Sequence, residues 1–315
     1  MTVKRIIMLS AASLAAAFLL QGQFNGSASA QQGAANEPYS KTCRVTRARD
    51  NSIQNIEPTK IFDNLYLVGP CYVSVWLLTT PQGDILFDTT QEPFVDHVID
   101  NIKKVGVNLR DIKYIVLSHG HLDHVGGAAK IQELTGARVV AVDEDWKMIA
   151  DLDGKKGNRD GGGNNRMPKK DMVVKEGDHL DLGDQHLLFH HHPGHTPGVL
   201  TTEGIKVYDE GKPYTAILMG GGGYRGGLKE AEQSVQTANQ VAAIKGVQVN
   251  LQIHSWSEPN GYPGGGVLER AMMLKNRKPG EPHPFVDPAT WESRAKAAQA
   301  AALRAVESEK RKAGQ

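Results

Sequence analysis

Residues 118–127 read SHGHLDHVGG, which places His119, His121, Asp123 and His124 within six residues, directly after the apolar run YIVL. Imidazole nitrogens and carboxylate oxygens are donors that borderline divalent cations accept. Four of them on one short turn make a metal cradle, and the rest of the chain must supply whatever it lacks. Two further segments do so. His195 lies in HHHPGHTPG and His254 in LQIHSWSEP, each in a loop that follows a strand-like run. In α/β proteins, the loops at one end of the strands are where sites are built. Six donors are enough for two ions. Three histidines with an open fourth position are what catalytic zinc uses, so His119, His121 and His195 are assigned to a first Zn2+. Asp123, His124 and His254 are assigned to a second.

The elements that must position these loops follow from periodicity. Ile61, Leu65 and Leu67 begin a strand, VSVWLLTT gives a second and ILF before Asp88 a third, joined by turns such as PQGD. Phe94, Val95, Val98, Ile99 and Ile102 then recur at helical spacing, and the segment closes on Lys103, Lys104 and Gly106. The strand YIVLS, the histidine loop, a helix through AAKIQELTG and the strand RVVAV complete the grammar of an α/β sheet. Residues 154–170, rich in glycine and charge, read as a mobile surface loop or as a lid over a substrate. Beyond them, MVVKEGDHLDLGDQHLLFHHH alternates strands with glycine turns, and YTAILMG is another strand. An amphipathic helix follows in EAEQSVQTANQVAAIKG, and VQVNLQI runs into His254. The last helix extends from Trp291 to about Lys312, with Trp291, Ala295, Ala298, Ala302 and Val306 on the face that packs on the sheet exterior.

Residues 1–30 carry Lys4 and Arg5, an apolar stretch and the ending Ala28-Ser29-Ala30, the order of a secretory signal peptide. A membrane anchor is the alternative, but the apolar run is shorter than the roughly 20 residues a span needs. Cleavage removes two bases and no acid, so the formal charge moves from +1 to −1. Neither nucleic acid nor an anionic membrane follows as a partner from that balance. Residues 31–57 read as a loose N-terminal arm and residues 58–315 as one large domain. The two cysteines, Cys43 and Cys71, would meet an oxidising compartment and pair as a disulfide, with two buried thiols as the alternative.

The motifs HGHLDHVGG and PGHTPG together resemble the metallo-β-lactamase superfamily. NLYLVG, LLTTPQGDILFD, LGD and RKPGEPHPFV bring the resemblance nearer to the β-lactamase subclass whose zinc ligands are histidine and aspartate without cysteine. The resemblance spans about residues 59–290 and implies a four-layer αββα sandwich. Many superfamily relatives carry an aspartate ligand at the end of the strand that here reads TAILMGGGG. Met219 and Gly220 stand in its place, which favours His254 as the late ligand. The serine that grips the carboxylate of a β-lactam in that subclass is absent between Gly198 and Glu230; Arg225 or Lys229 could bind a carboxylate instead, with a solvated surface charge as the alternative.

The chemistry implied is hydrolysis. Zinc lowers the pKa of bound water to about 7, so hydroxide can attack a strained carbonyl while Asp123 orients it and takes up its proton. Asp88, at the end of its strand, is expected to hold a histidine or backbone groups in place. Tyr224 and Trp256 are candidate walls for a small-molecule substrate. The readings are a periplasmic or secreted β-lactamase, a lactone or ester hydrolase on the same scaffold, and a noncatalytic zinc-binding protein. The oligomeric state is left open.

Overall fold

The computed structural model describes residues 39–46, 50–156, 165–224, 226–255 and 265–314. The expected signal peptide, Arg225, Trp256 and the middle of the 154–170 loop lie outside the described residues. Where the sequence suggests a loose arm, Tyr39–Thr46 form helix α1 and Asn51–Gln54 a single turn, α2. Gln54 explains why this segment is ordered. Its buried amide donates to the Cys43 carbonyl at 3.0 Å and to Thr46 Oγ1 at 2.9 Å, and its Oε1 accepts from the Tyr72 backbone at 3.1 Å. Cys43 and Cys71 form a disulfide beside it, with Cα atoms 5.6 Å apart.

The first sheet holds β1 (Thr59–Phe62), β2 (Leu65–Leu67), β3 (Trp76–Leu78), β4 (Asp84–Phe87), β5 (Ile112–Val116), β6 (Arg138–Val142) and β7 (Met172–Val174), in that spatial order. Strands β1 to β4 pair antiparallel, whereas β4 to β7 are parallel. Parallel pairing needs long crossovers, and these carry α3 (Val95–Lys104), the short α4 (Leu122–Val125) with α5 (Ala128–Thr135), and α6 (Asp143–Leu152). The second sheet orders its strands β12-β11-β10-β9-β8, where β8 is His179–Leu182, β9 Gln185–His191, β10 Leu200–Asp209, β11 Lys212–Leu218 and β12 Val249–Leu251. Only β11 and β12 pair in parallel, because α7 (Leu228–Ala243) crosses between them. Helices α8 (Val267–Lys275) and α9 (Pro288–Lys312) complete the chain.

Side-chain alternation then sorts the layers. Trp76 and Leu78 of β3, with Ile85 and Phe87 of β4, enter a core shared with Leu187, Phe189, Leu200, Leu218 and Leu251 of the second sheet. Their neighbours Leu77 and Leu86 face the other way, onto Phe94, Val98, Ile102, Ile131 and Trp146 of the outer helices. On the far side Ile217 meets Val241 of α7 and Trp291 and Ala295 of α9. Helices, sheet, sheet and helices make the four-layer αββα sandwich. Residues 59–67 form a hairpin rather than the start of one strand, since Asp63 and Asn64 reverse the chain. No described helix is long and apolar enough to cross a membrane.

The two sheets are also stitched where the site will lie. Ser74 donates its amide to the Ile253 carbonyl at 2.9 Å, and Val73 bridges His254. The disulfide closes a loop of sequence separation 28 just before this seam. The chain-entropy estimate for such a loop is about 3 to 4 kcal/mol. Urea denaturation of the Cys43→Ser/Cys71→Ser double variant is expected to show a stability loss of about that size; an unchanged midpoint would contradict it.

Candidate metal centre

Four loops converge at one edge of the sandwich: after β4 (Asp88), after β5 (residues 118–124), after β9 (residues 192–198) and after β12 (His254). His119, His121 and His195 come together with ring centroids 4.7 to 4.8 Å apart and rings nearly perpendicular to one another. Asp123, His124 and His254 form the adjoining group: His124 Nε2 lies 3.3 Å from His254 Nε2, and Asp123 Oδ2 lies 3.8 and 3.9 Å from those two nitrogens. Each triad presents donor atoms all within 4.8 Å of one another, so each could hold a metal ion. His119 and His124, with centroids 4.1 Å apart, join the two groups.

Hydrogen bonds fix which nitrogen of each ring faces inward. His119 Nδ1 donates to the Gly220 carbonyl at 2.7 Å, His124 Nδ1 to Asp88 Oδ2 at 2.8 Å, and His254 Nδ1 to the Tyr72 carbonyl at 2.9 Å. With the proton held on Nδ1, Nε2 carries a bare lone pair. The Nε2 of His119 is buried with no hydrogen-bond partner, and the Nε2 atoms of His124 and His254 face each other at 3.3 Å. A buried acceptor without a donor is unfavourable by itself, and a cation would satisfy it. A separation near 3.3 Å is roughly the edge of a tetrahedron with bonds of about 2.0 to 2.1 Å, the lengths of zinc–imidazole ligation. The residues present therefore fit zinc.

Electrostatics keep His119 and His254 in the neutral, ligating form. Burial pushes His119 well below the ordinary histidine value, with the neighbouring imidazoles adding to it. Burial and then His124 lower His254 to about 3. At His124 burial also disfavours the charged form, but the Asp123 and Asp88 carboxylates outweigh it and raise the pKa. Burial likewise opposes ionisation of Asp123, yet His124, His254 and His121 together lower its pKa, so it is a carboxylate near neutral pH.

Two buried carboxylates position the loops. Asp88 accepts from the Ser118 amide at 2.8 Å, the Ser118 hydroxyl at 2.7 Å and His124 Nδ1 at 2.8 Å. Its backbone is left-handed, φ 60°, a conformation that aspartate tolerates better than most residues and that aims the carboxylate at the loop after β5. Asp145, which the sequence reading passed over, sits in the first turn of α6. It accepts from the Gly120 amide at 2.6 Å, the Thr196 hydroxyl at 3.0 Å and the Gly198 amide at 2.9 Å. One carboxylate thus fastens the loop of His119 and His121 to the loop of His195. Its burial raises its pKa, and the three donors act against that shift. The acidic run DEDW at the start of α6 gave no sign of this in the sequence, because acids are common in the first turn of a solvated helix.

Of the remaining histidines, His190 bridges Glu176 at 2.9 Å and Glu203 at 2.7 Å, and His191 pairs with the Pro197 carbonyl at 2.8 Å. Neither enters a metal triad. His192 is buried, with Nδ1 on the Thr201 hydroxyl at 2.9 Å. Tyr224 lines a cavity that adjoins His195, and its hydroxyl donates to Glu309 of α9 at 3.1 Å. Gly220 is held to its identity by space: a Cβ there would lie 2.1 Å from the Leu200 carbonyl oxygen and 2.6 Å from that of Ser118.

Residues 68–204 match the family model of the metallo-beta-lactamase superfamily. The structure is similar to BJP-1, a subclass B3 metallo-beta-lactamase of Bradyrhizobium japonicum, at 28% identity and TM-score 0.65, over 81% of this chain and 95% of that one. Native FEZ-1 metallo-beta-lactamase from Legionella gormanii gives 27% identity and TM-score 0.68, over 81% and 97%. A hydroxyacylglutathione hydrolase of Maricaulis maris is 32% identical over 110 residues, 35% of this chain and 35% of that protein. The chain spans less than half the length of such curated relatives.

Asp145→Asn replaces one acceptor oxygen by an amide group that faces a donor, so the two loops lose their common fastening. Zinc affinity measured by chelator competition is expected to fall about ten- to a hundredfold while the circular dichroism spectrum stays native; undiminished affinity would remove Asp145 from this role.

Proposed function

Because this chain belongs to the metallo-beta-lactamase superfamily, we propose that it is an exported zinc-dependent hydrolase that opens strained cyclic carbonyl compounds, foremost amides of the β-lactam type. The observation that carries this reading is the convergence of His119, His121 and His195 beside Asp123, His124 and His254, with ring nitrogens pre-oriented toward two metal positions. Two zinc ions, when bound by these residues, would supply a nucleophile at neutral pH and Lewis acidity toward the carbonyl. The protein's own residues do the rest. Gly220, Asp88 and Tyr72 hold the imidazoles of His119, His124 and His254 in their ligating tautomer. Asp123, partly exposed at the mouth of the site, orients the attacking water and accepts its proton. No side-chain nucleophile is required.

Export to the periplasm or beyond is supported by the Cys43–Cys71 disulfide, which persists in oxidising compartments, and by the signal-like residues 1–30. A second reading, a lactone or ester hydrolase, is favoured by one specific observation. Residues 220–223 are four glycines, so no hydroxyl stands there to grip the carboxylate of a β-lactam. The name of the Maricaulis maris relative, a hydroxyacylglutathione hydrolase, is in line with that reading.

Metal analysis of the purified protein is expected to find two zinc ions per chain; fewer than about one would undermine both readings, which rest on a catalytic zinc site. A carbapenem, a cephalosporin and a set of lactones, incubated with the zinc-loaded protein, separate them by which is turned over. Asp123→Asn and His121→Ala are each expected to lower hydrolysis about 10²- to 10⁴-fold with the fold intact, and full activity in either would reject the assignment.

A further inference from the structure

Behind the metal centre the sandwich is not filled. Two adjoining cavities, of about 480 Å³ and about 240 Å³, open beneath α9 and share His195, Met219, Val241 and Ala298 in their walls. The larger also reaches His254 and carries Asn250, Gln252 and Arg294 in its wall, whereas the smaller borders the triads at His195 alone. The smaller runs on between α7 and α9, where Ala302 and Tyr224 line it and no acidic or basic side chain does. Besides His195 it carries one imidazole, His192, which is held neutral because burial lowers its pKa to about 4.

The opening between metal centre and cavity is set by glycine. Gly221 and Gly222 line both cavities, and a Cβ at Gly222 would meet nothing within 4 Å. Alanine fills the corresponding face of α9, where larger apolar residues would close the space: Ala298, Ala301, Ala302 and Ala305 all border the smaller cavity. Gly222, Ala298 and Ala301 are exposed, so the small residues leave a hollow that is open to solvent on one side and whose apolar walls offer water few polar partners.

We propose that this hollow is a binding site for an unbranched aliphatic chain, so that the substrate is a carbonyl compound carrying such a chain, its tail under α9 and its reacting carbonyl at the metal triads. The proposal rests on the hydrolase reading for the carbonyl, but not for the tail. Continuity of the hollow with His195 and His254 is what ties the two parts to one molecule. The shared wall also explains the absence of a hydroxyl in residues 220–223: selection at this position comes from apolar burial rather than from gripping a charge. Each methylene transferred from water strengthens binding by up to about fourfold.

Octan-1-ol, which has the chain but no hydrolysable bond, tests the tail site apart from catalysis. Isothermal titration of the zinc-loaded protein is expected to show saturable binding of one octanol per chain. Ala302→Trp, which fills the hollow from α9, abolishes it. Gly222→Leu, which obstructs the opening from the loop side, serves if the tryptophan variant does not fold. On the catalytic side, kcat/KM for 4-nitrophenyl octanoate is expected to exceed that for the acetate at least tenfold, with the ratio collapsing toward one in the filled variants. Octanol binding without turnover of either ester upholds the tail site and rejects ester hydrolysis. No octanol binding to the unsubstituted protein, or binding unaltered by both substitutions, overturns the proposal and leaves the hydrolase reading standing.

Discussion

Two imidazole nitrogens face each other at 3.3 Å, each on a ring whose far nitrogen is anchored by a hydrogen bond, and they set the terms for everything around them. The Asp123 carboxylate stands 3.8 and 3.9 Å from the same two nitrogens, so three donors converge on one point. A positive ion there would be held by all three, and its binding would link metal affinity to fold stability.

The sandwich supplies the rigidity that this requires. His119, His121, Asp123 and His124 come from the first sheet's central parallel strand, His195 from the end of β9 and His254 from the end of β12. Donors from both sheets can meet only if the sheets cannot slide. The shared core of Trp76, Phe87, Phe189 and Leu218 fixes their separation, and the Ser74 to Ile253 hydrogen bond fixes their edge. Asp88 and Asp145 then act on a finer scale, each tying a loop to a neighbour through three donors. The disulfide reaches the same region: Cys71 precedes Tyr72, whose carbonyl orients His254.

What the sequence disclosed depended on how local each signal was. The four clustered residues His119, His121, Asp123 and His124 stood out because histidine and aspartate crowded after a strand have few other uses, and the structure gathers them with His195 and His254 into two groups that could hold a metal ion. Helix α3 was legible because Val95, Val98, Ile99 and Ile102 repeat on one face that is wholly buried. Strand β10 was not, because LTTEGIKVYD mixes threonine, glutamate and glycine, and its pairing with both β9 and β11 is decided by partners distant in sequence. Strand β7 carried a clear apolar signature but was grouped with the segments that follow it. Its true partner is β6, and only the crossover through α6 reveals that. Asp145 escaped for the same reason: a carboxylate that accepts three hydrogen bonds from residues 25 to 53 positions away leaves no local trace.

Gly220 carries a consequence for how this chain can change. Its carbonyl orients His119, and the atoms over its α-carbon are the main-chain oxygens of Leu200 and Ser118, which cannot swing aside as a flexible side chain would. No single codon change at that position can install the aspartate that many superfamily relatives use as a ligand without moving β10 and the histidine loop together. Gly220 is thereby fixed by main-chain packing, and the neighbouring glycines, whose α-carbons are less crowded, are where this loop has room to vary.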